Sequence, residues 1–335
     1  MMWASLRGSF ALILQTKFFM YIKPLLFSGM LLIGALGASA QTPPQMTTRD
    51  TSENDEDDLM SMLEEDAPAK QEYISATFKS TRIANGHSIE NTAKGILDFR
   101  ISHRFGVVKN GLEDFFGLDG AATRIGFDYG VTDWLMVGIG RSSLFREYDG
   151  FAKVRLLRQT ENNRMPVSLS YLGAVSIQAT EEAEDYYFSN RVAYVNQVLL
   201  ARKFSPKFSL QLMPTHIHYN LVQTRDEPND VLAMGAGGRL KLSNRISLTA
   251  EYYYLLPGNK LDNTVNALTI GFDIETGGHV FQLMFSNAAT TTERNAIGMT
   301  TDKWDDGNVH FGFNISRVFT IVKPKGFENS RNKIW

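Results

Sequence analysis

Residues 266–287 read NALTIGFDIETGGHVFQLMFSN. Leu268, Ile270, Phe272 and Ile274 alternate with Thr269, Gly271, Asp273 and Glu275; the turn Thr276-Gly277-Gly278 follows, and the return carries Phe281, Leu283 and Phe285 on one parity. A period of two puts the apolar side chains on one face and the polar ones on the other. A soluble sandwich uses such hairpins too. What decides the fold is that the pattern recurs along the chain behind an export signal.

Working back from the hairpin, residues 246–254 set Ile246, Leu248, Ala250, Tyr252 and Tyr254 against Ser247, Thr249 and Glu251. The same alternation reads over 95–105, 124–129, 134–141, 151–159, 166–178 and 231–242. The last and clearest segment opposes Val309, Phe311, Phe313, Ile315 and Phe319 to His310, Gly312, Asn314 and Ser316. Two segments are less regular. Over 191–204, Val192, Tyr194, Val198 and Leu200 compete with Val195 and Leu199 for the apolar face. Over 207–222, apolar parity switches near Pro214, from Phe208, Leu210 and Leu212 to Ile217, Tyr219 and Leu221. One extra residue flips every later side chain, so the switch predicts a β-bulge.

From Gly95 the reading gives twelve strands, most long enough to cross a bilayer, which takes about nine to eleven tilted residues. Connections near 131, 205, 243 and 276 are tight, whereas those near 107–122, 143–150, 180–190, 223–230 and 288–307 are longer and polar. An even strand number with short periplasmic turns and long external loops describes an outer-membrane barrel. Backbone in lipid must pair internally, which forces closure. The predicted fold is therefore an all-β, antiparallel, up-and-down transmembrane barrel. Trp134, Tyr171, Tyr194, Tyr219, Tyr252, Tyr254 and Trp304 are expected in its interfacial girdles. Residues 76–82 would make a thirteenth strand and are placed in the lumen or periplasm.

The chain has 335 residues, formal charge −2 and no cysteine. A disulfide scaffold, a thiolate metal site, a cysteine nucleophile and a lipid anchor on cysteine are excluded. Residues 1–40 read as a signal peptide, with Lys17 and Lys23, the apolar run Leu25 to Leu36 and the cleavage motif Ala38-Ser39-Ala40. Residues 41–74 read as a flexible acidic periplasmic segment; between Asp50 and Asp66 stand nine acids and no lysine or arginine. The barrel is expected over 75–322 and a short basic tail over 323–335.

Thr77 to Arg82 (Thr-Phe-Lys-Ser-Thr-Arg), Asp98 to Gly106 (Asp-Phe-Arg-Ile-Ser-His-Arg-Phe-Gly) and Phe116-Gly117-Leu118-Asp119 resemble an uncharacterised family of outer-membrane β-barrel proteins from Gram-negative bacteria. Gly138 to Ser142, Tyr148 to Phe151 and Leu157-Arg158-Gln159 fit the same pattern. The resemblance spans about residues 75–320. It implies a barrel and an outer-membrane location, and brings no ligand or catalytic residue with it.

The polar parity gives the candidate lumen-lining residues: Asp98, Arg100, Arg104, Arg124, Asp128, Lys153, Arg155, Arg239, Lys241, Glu251, Asp273 and Glu275. Charges of both signs must pair or reach water. They form either a salt-bridged filling or the lining of a polar channel. The expected function is a passive channel or binding protein for a small polar solute. The alternative is an anchoring barrel that docks a periplasmic partner through residues 50–66. His216 and His218, two apart on one strand face, have metal-chelating spacing without a visible third ligand; His103 falls on the lipid parity. Gly235, Gly237 and Gly238 read as barrel kinks. The sequence holds no Gly-x-Ser-x-Gly elbow and no cofactor motif, so neither an enzyme nor a cofactor is expected. The expected partners are outer-membrane lipid and that periplasmic protein; nucleic acid is not among them.

Overall fold

The computed structural model describes residues 72–179 and 187–323. The signal peptide, the acidic run and the basic tail expected from the sequence lie outside the described residues.

Twelve antiparallel strands close into one barrel, each paired to its sequence neighbours and the last to the first. They are β1 (Ile96–Val107), β2 (Ala121–Gly130), β3 (Leu135–Ser142), β4 (Glu147–Leu157), β5 (Ser168–Gln178), β6 (Val192–Lys203), β7 (Phe208–Tyr219), β8 (Asp230–Lys241), β9 (Ile246–Leu255), β10 (Ala267–Thr276), β11 (His279–Ser286) and β12 (His310–Thr320). The hairpin quoted first is β10–β11, turning on Gly277 and Gly278 with Thr276 paired to His279. Leu283 pairs with Phe313 across the next ladder, and Ile101 with Ile315 at the closing seam. Ile270, Phe272, Leu283, Phe285 and Phe319 stand on the outer face. With no free edge, every strand finds both its ladders inside the ring.

Irregularities fall where the sequence does not announce them. The register shifts between Arg104 and Val107 on β1 and between Arg155 and Leu157 on β4. Beyond the first shift, Gly117 (φ +84°) lets its backbone meet that of Gly106, whose N–H bonds to the Gly117 carbonyl at 2.7 Å.

The predicted bulge at Pro214 is absent. Strand β7 keeps one register with β8 from Phe208 to His218. Its side chains alternate without a flip, so Met213, Ile217 and Tyr219 face inward while His216 and His218 face outward. The parity switch in the sequence thus reflects an inner wall that turns apolar. Strand β6 behaves likewise: Tyr194 and Val198 point out and Val195 and Leu199 point in, so both competing sets are apolar. Tyr219 consequently leaves the expected girdle and is buried inside, whereas Trp134, Tyr171, Tyr194, Tyr252 and Tyr254 are exposed on the outer wall.

Candidate functional site

The lumen is filled by the chain itself. Residues 72–94 enter at the tight-turn end, make a hairpin inside the barrel and return to β1. At the entry, Ile74 N–H bonds to the Gln159 carbonyl at 2.9 Å and Glu161 N–H to the Glu72 carbonyl at 3.1 Å. The connection 158–167, longer than the other tight turns, is thus a landing for residues 72–74, which the sequence grouped with the acidic segment. The segment expected in lumen or periplasm lies in the lumen. Its turn is tied by Ile83 N–H to the Gly86 carbonyl at 2.9 Å and Ser88 N–H to the Thr81 carbonyl at 3.0 Å.

An inserted backbone brings its own unpaired N–H and C=O groups, and each must find a partner. The barrel wall supplies them from its inward positions. Arg239 donates to the Ala76 carbonyl at 2.8 Å, Gln282 to Ile83 at 3.0 Å, Asn314 to Ala84 at 2.9 Å, Gln211 to His87 at 2.7 Å and Lys153 to Ser88 at 3.0 Å. Glu251 accepts the Asn85 N–H at 2.8 Å, and the Asn85 carboxamide oxygen takes Arg104 Nη2 at 2.7 Å. Arg100 donates to Ser80 Oγ at 3.0 Å, Thr81 Oγ1 at 2.6 Å and Asp98 at 2.7 Å.

One side of the insert packs on apolar wall instead. Phe78, Ile83 and Ile89 join Val195, Leu199, Met213 and Tyr253 in one buried cluster. Gly235 and Gly237 face inward here; a Cβ at 237 would stand 2.5 Å from Ile83 and one at 235 would stand 2.6 Å from Tyr253. The β8–β9 register runs straight through both glycines, so they make room for the insert and do not kink the barrel.

From the long-loop end, the connection 287–309 dips inward and carries a short helix, α1 (Glu293–Gly298), whose residues are all buried. Tyr219 donates to the Arg294 carbonyl at 2.8 Å, and Thr292 to Glu147 at 2.9 Å. The two inserts meet at Arg82 and Glu293, paired at 3.0 Å, with His87 Nε2 3.2 Å from the same carboxylate.

Of the candidate lumen residues, Asp98, Arg100, Arg104, Arg124, Asp128, Lys153, Arg239, Glu251 and Asp273 are buried inside the barrel. Arg155, Lys241 and Glu275 are half-buried at the tight-turn mouth, Glu275 bonded to Lys79 of the insert. The ion pairs are fewer than the charges: Arg100 holds Asp98 and Arg124 grips Asp149, while Lys153 and Glu251 bond to the insert and Arg104 divides its bonds between Asn85 of the insert and the wall at Phe313 and Asn314. Sequence reasoning missed Glu147 and Asp149, because β4 starts earlier than its apolar pattern does. It missed Gln211, Gln282 and Asn314, because uncharged amides do not stand out on a polar parity.

His216 and His218 reach a shared partner, Asp230 Oδ1, at 2.8 and 2.7 Å on the outer wall near the long loops. Among the described residues no group of three or more His, Cys, Asp or Glu is arranged to hold a metal ion. His103 also faces outward, hydrogen-bonded to Thr123 at 2.9 Å and stacked on Phe313.

Among solved structures, the NanC porin is 9% identical, with 68% of this chain aligned to all of that one at a TM-score of 0.43. The KdgM porin is 7% identical, covering 67% of this chain and 99% of its own at 0.42. Omp33 of Acinetobacter baumannii is 8% identical, covering 67% and 97% at 0.36. A search of curated proteins finds no match to the sequence. The family described as "Membrane bound beta barrel domain (DUF5777)" matches residues 78–319, from the luminal insert to the end of β12, and this chain belongs to it.

Proposed function

We propose that the protein is a gated outer-membrane passage for a small polar solute, closed at rest. The tight-turn mouth faces the periplasm and the long loops face outward. Residues 74–94 are the periplasmic gate, and the loop bearing α1 is the external one. One observation carries this reading. The insert is held mostly by wall side chains bonded to its backbone, and water can take over each of those bonds. A plug seated by apolar contact alone would expose its greasy surface on leaving. This one leaves behind, beside the apolar strip of Val195, Leu199 and Met213 on which Phe78, Ile83 and Ile89 pack, a wall of arginine, lysine, glutamine and carboxylate that a polar solute can follow.

Single-channel recording in planar bilayers tests the proposal. The intact protein is expected to stay mostly closed. A variant lacking residues 72–93 is expected to open in discrete steps, with larger conductance once 288–303 is shortened as well. Silence from both variants, with the barrels folded, would end the passage reading.

A second reading is favoured by the docking of residues 72–74 at the periplasmic mouth, just after the acidic run 50–66 in sequence. There the barrel anchors a periplasmic partner through that run. Deleting residues 41–70 separates the two: lost partner capture with unchanged permeability supports the anchor.

A further inference from the structure

Beside the stem of the insert, at the tight-turn mouth, lies a cleft of about 240 Å³ between residues 74–77 and 89–93 on one side and Asp133, Arg155, Arg158 and Ser168 on the other. It belongs neither to the filled lumen nor to the contact of the two inserts. Its cationic side is built by the irregularity in β4. In strict alternation Arg155 and Arg158 would point to opposite faces of the wall. The register shift between Arg155 and Leu157 leaves Leu156 and Leu157 both exposed on the outer wall and brings both guanidinium groups to the cleft.

Neither arginine has a carboxylate within ion-pair distance among the described residues. Arg155 donates to the Asp133 carbonyl at 3.2 Å, and Arg158 lies 4.4 Å over the Tyr73 ring. Two acids also line the cleft. Glu90 is committed to the insert, accepting Thr77 N–H at 2.7 Å and Phe78 N–H at 3.3 Å. Both charges oppose an anion, so selectivity rests on the paired geometry of the guanidinium forks and not on a net positive charge; Asp133, which holds no part of the insert, is the one that can be removed without disturbing it. Across from the arginines, both carboxamide atoms of Asn91 and the hydroxyl of Thr92 are buried without a hydrogen-bond partner, Thr92 being 7% exposed. Buried polar atoms in native proteins are rarely left so.

We propose that this cleft binds a small organic anion bearing carboxylate groups. The planar forks of Arg155 and Arg158 take carboxylate oxygens in paired hydrogen bonds. Asn91 and Thr92, whose polar atoms are covered while the stem sits against the wall, take up the opposite end once the ligand parts the two. At about 30 Å³ per water-sized group, the cleft admits roughly eight non-hydrogen atoms. The ligand wedges between wall and insert, so occupancy bears on how the stem is seated. The site needs only the cleft, and stands whether or not solute crosses the lumen.

Calorimetry on the full-length refolded protein tests this, with succinate as the probe and succinamide as its uncharged match. Saturable succinate binding in the millimolar range or tighter, without succinamide binding, is expected. Arg158→Gln, at an exposed position, should weaken it at least tenfold. Arg155→Lys, which keeps the charge and loses the fork, should weaken it several-fold, and Asp133→Asn should tighten it. Fold is checked by the gel mobility of unheated against boiled samples. No saturable binding by the intact protein would overturn the proposal, as would equal binding of succinamide or an unchanged affinity in a folded Arg158→Gln variant. The conductance test of the passage is run without ligand, so a failure of succinate binding is distinguishable from a failure of the passage reading.

Discussion

The Arg82–Glu293 pair joins the two inserts, and it is buried. Removing one partner of a buried pair leaves a charge without compensation, at a cost of about 3–5 kcal/mol. Glu293→Gln should therefore loosen residues 74–94 without opening the barrel. The chain has no cysteine, so a single Ala84→Cys, at a buried position whose side chain makes no polar contact, reports on this directly. Maleimide labelling of Cys at that position should be slow in the parent and at least tenfold faster with Glu293→Gln added. His87 beside it belongs to the insert and to no spanning strand. Burial pushes its imidazole well below the ordinary value, and Arg82, Lys153, Arg124 and Arg100 push the same way. The nearby Glu293 carboxylate pulls in the opposite sense, and burial outweighs it. A base whose folded pKa is depressed contributes its full stability above the unfolded value, near 6.5, and loses it as pH falls from there toward the folded value. Labelling of the Ala84→Cys reporter, divided by the rate of a free thiol at the same pH, should accordingly rise between about pH 7.5 and 5, the division removing the loss of reactive thiolate. Most of that pH dependence should vanish in His87→Gln.

Among the elements, the hairpin turn of the insert is the most closely fitted. A Cβ at Gly86 would fall 1.9 Å from the Tyr253 hydroxyl, on a ring fixed in the buried cluster. Gly86→Ala should unseat the tip, and Tyr253→Phe should restore part of the loss, a coupling that a double-mutant cycle with the labelling rate would expose. The long connection 158–167 makes a separate prediction. Shortening it to a two-residue turn removes the landing for residues 72–74, so labelling should rise while gel mobility stays that of a closed barrel. Ten strands were legible because one face meets lipid and the other meets polar groups, which leaves period two unbroken. The faces of β6 and the upper half of β7 were not, because Val195, Leu199, Ile217 and Tyr219 are greasy on the inside as well. The insert was invisible to periodicity: it is irregular, and its partners are scattered over the whole ring. The quoted Thr77 to Arg82 and Asp98 to Gly106 stretches carried the family resemblance without showing that they meet. In three dimensions they touch, through Arg100 on Ser80 and Thr81.

For the whole molecule, the charges read from the sequence as calling either for ion pairs or for a wet channel meet a third solution. They solvate an internal segment. Such a lumen explains why acids and bases nearly balance along the strands while few of them pair. Polarity on one face could be read from residue order; the identity of what it faces could not, because nothing in the order of the strands says that residues 74–94 turn back inside. The insert also enters and leaves by the same mouth: Tyr73 bridges Thr160 at the tight-turn end, and Gly95 hands the chain to β1 there. No part of it is threaded from one opening to the other. It can be drawn out and reseated as a loop, and the ring never has to unzip between β1 and β12. A disulfide across that seam, between Ile101→Cys and Ile315→Cys, should therefore leave release of the insert as fast as before. Under the gating proposal, retrieval after release then needs only the tether, without any machinery to find the way back in.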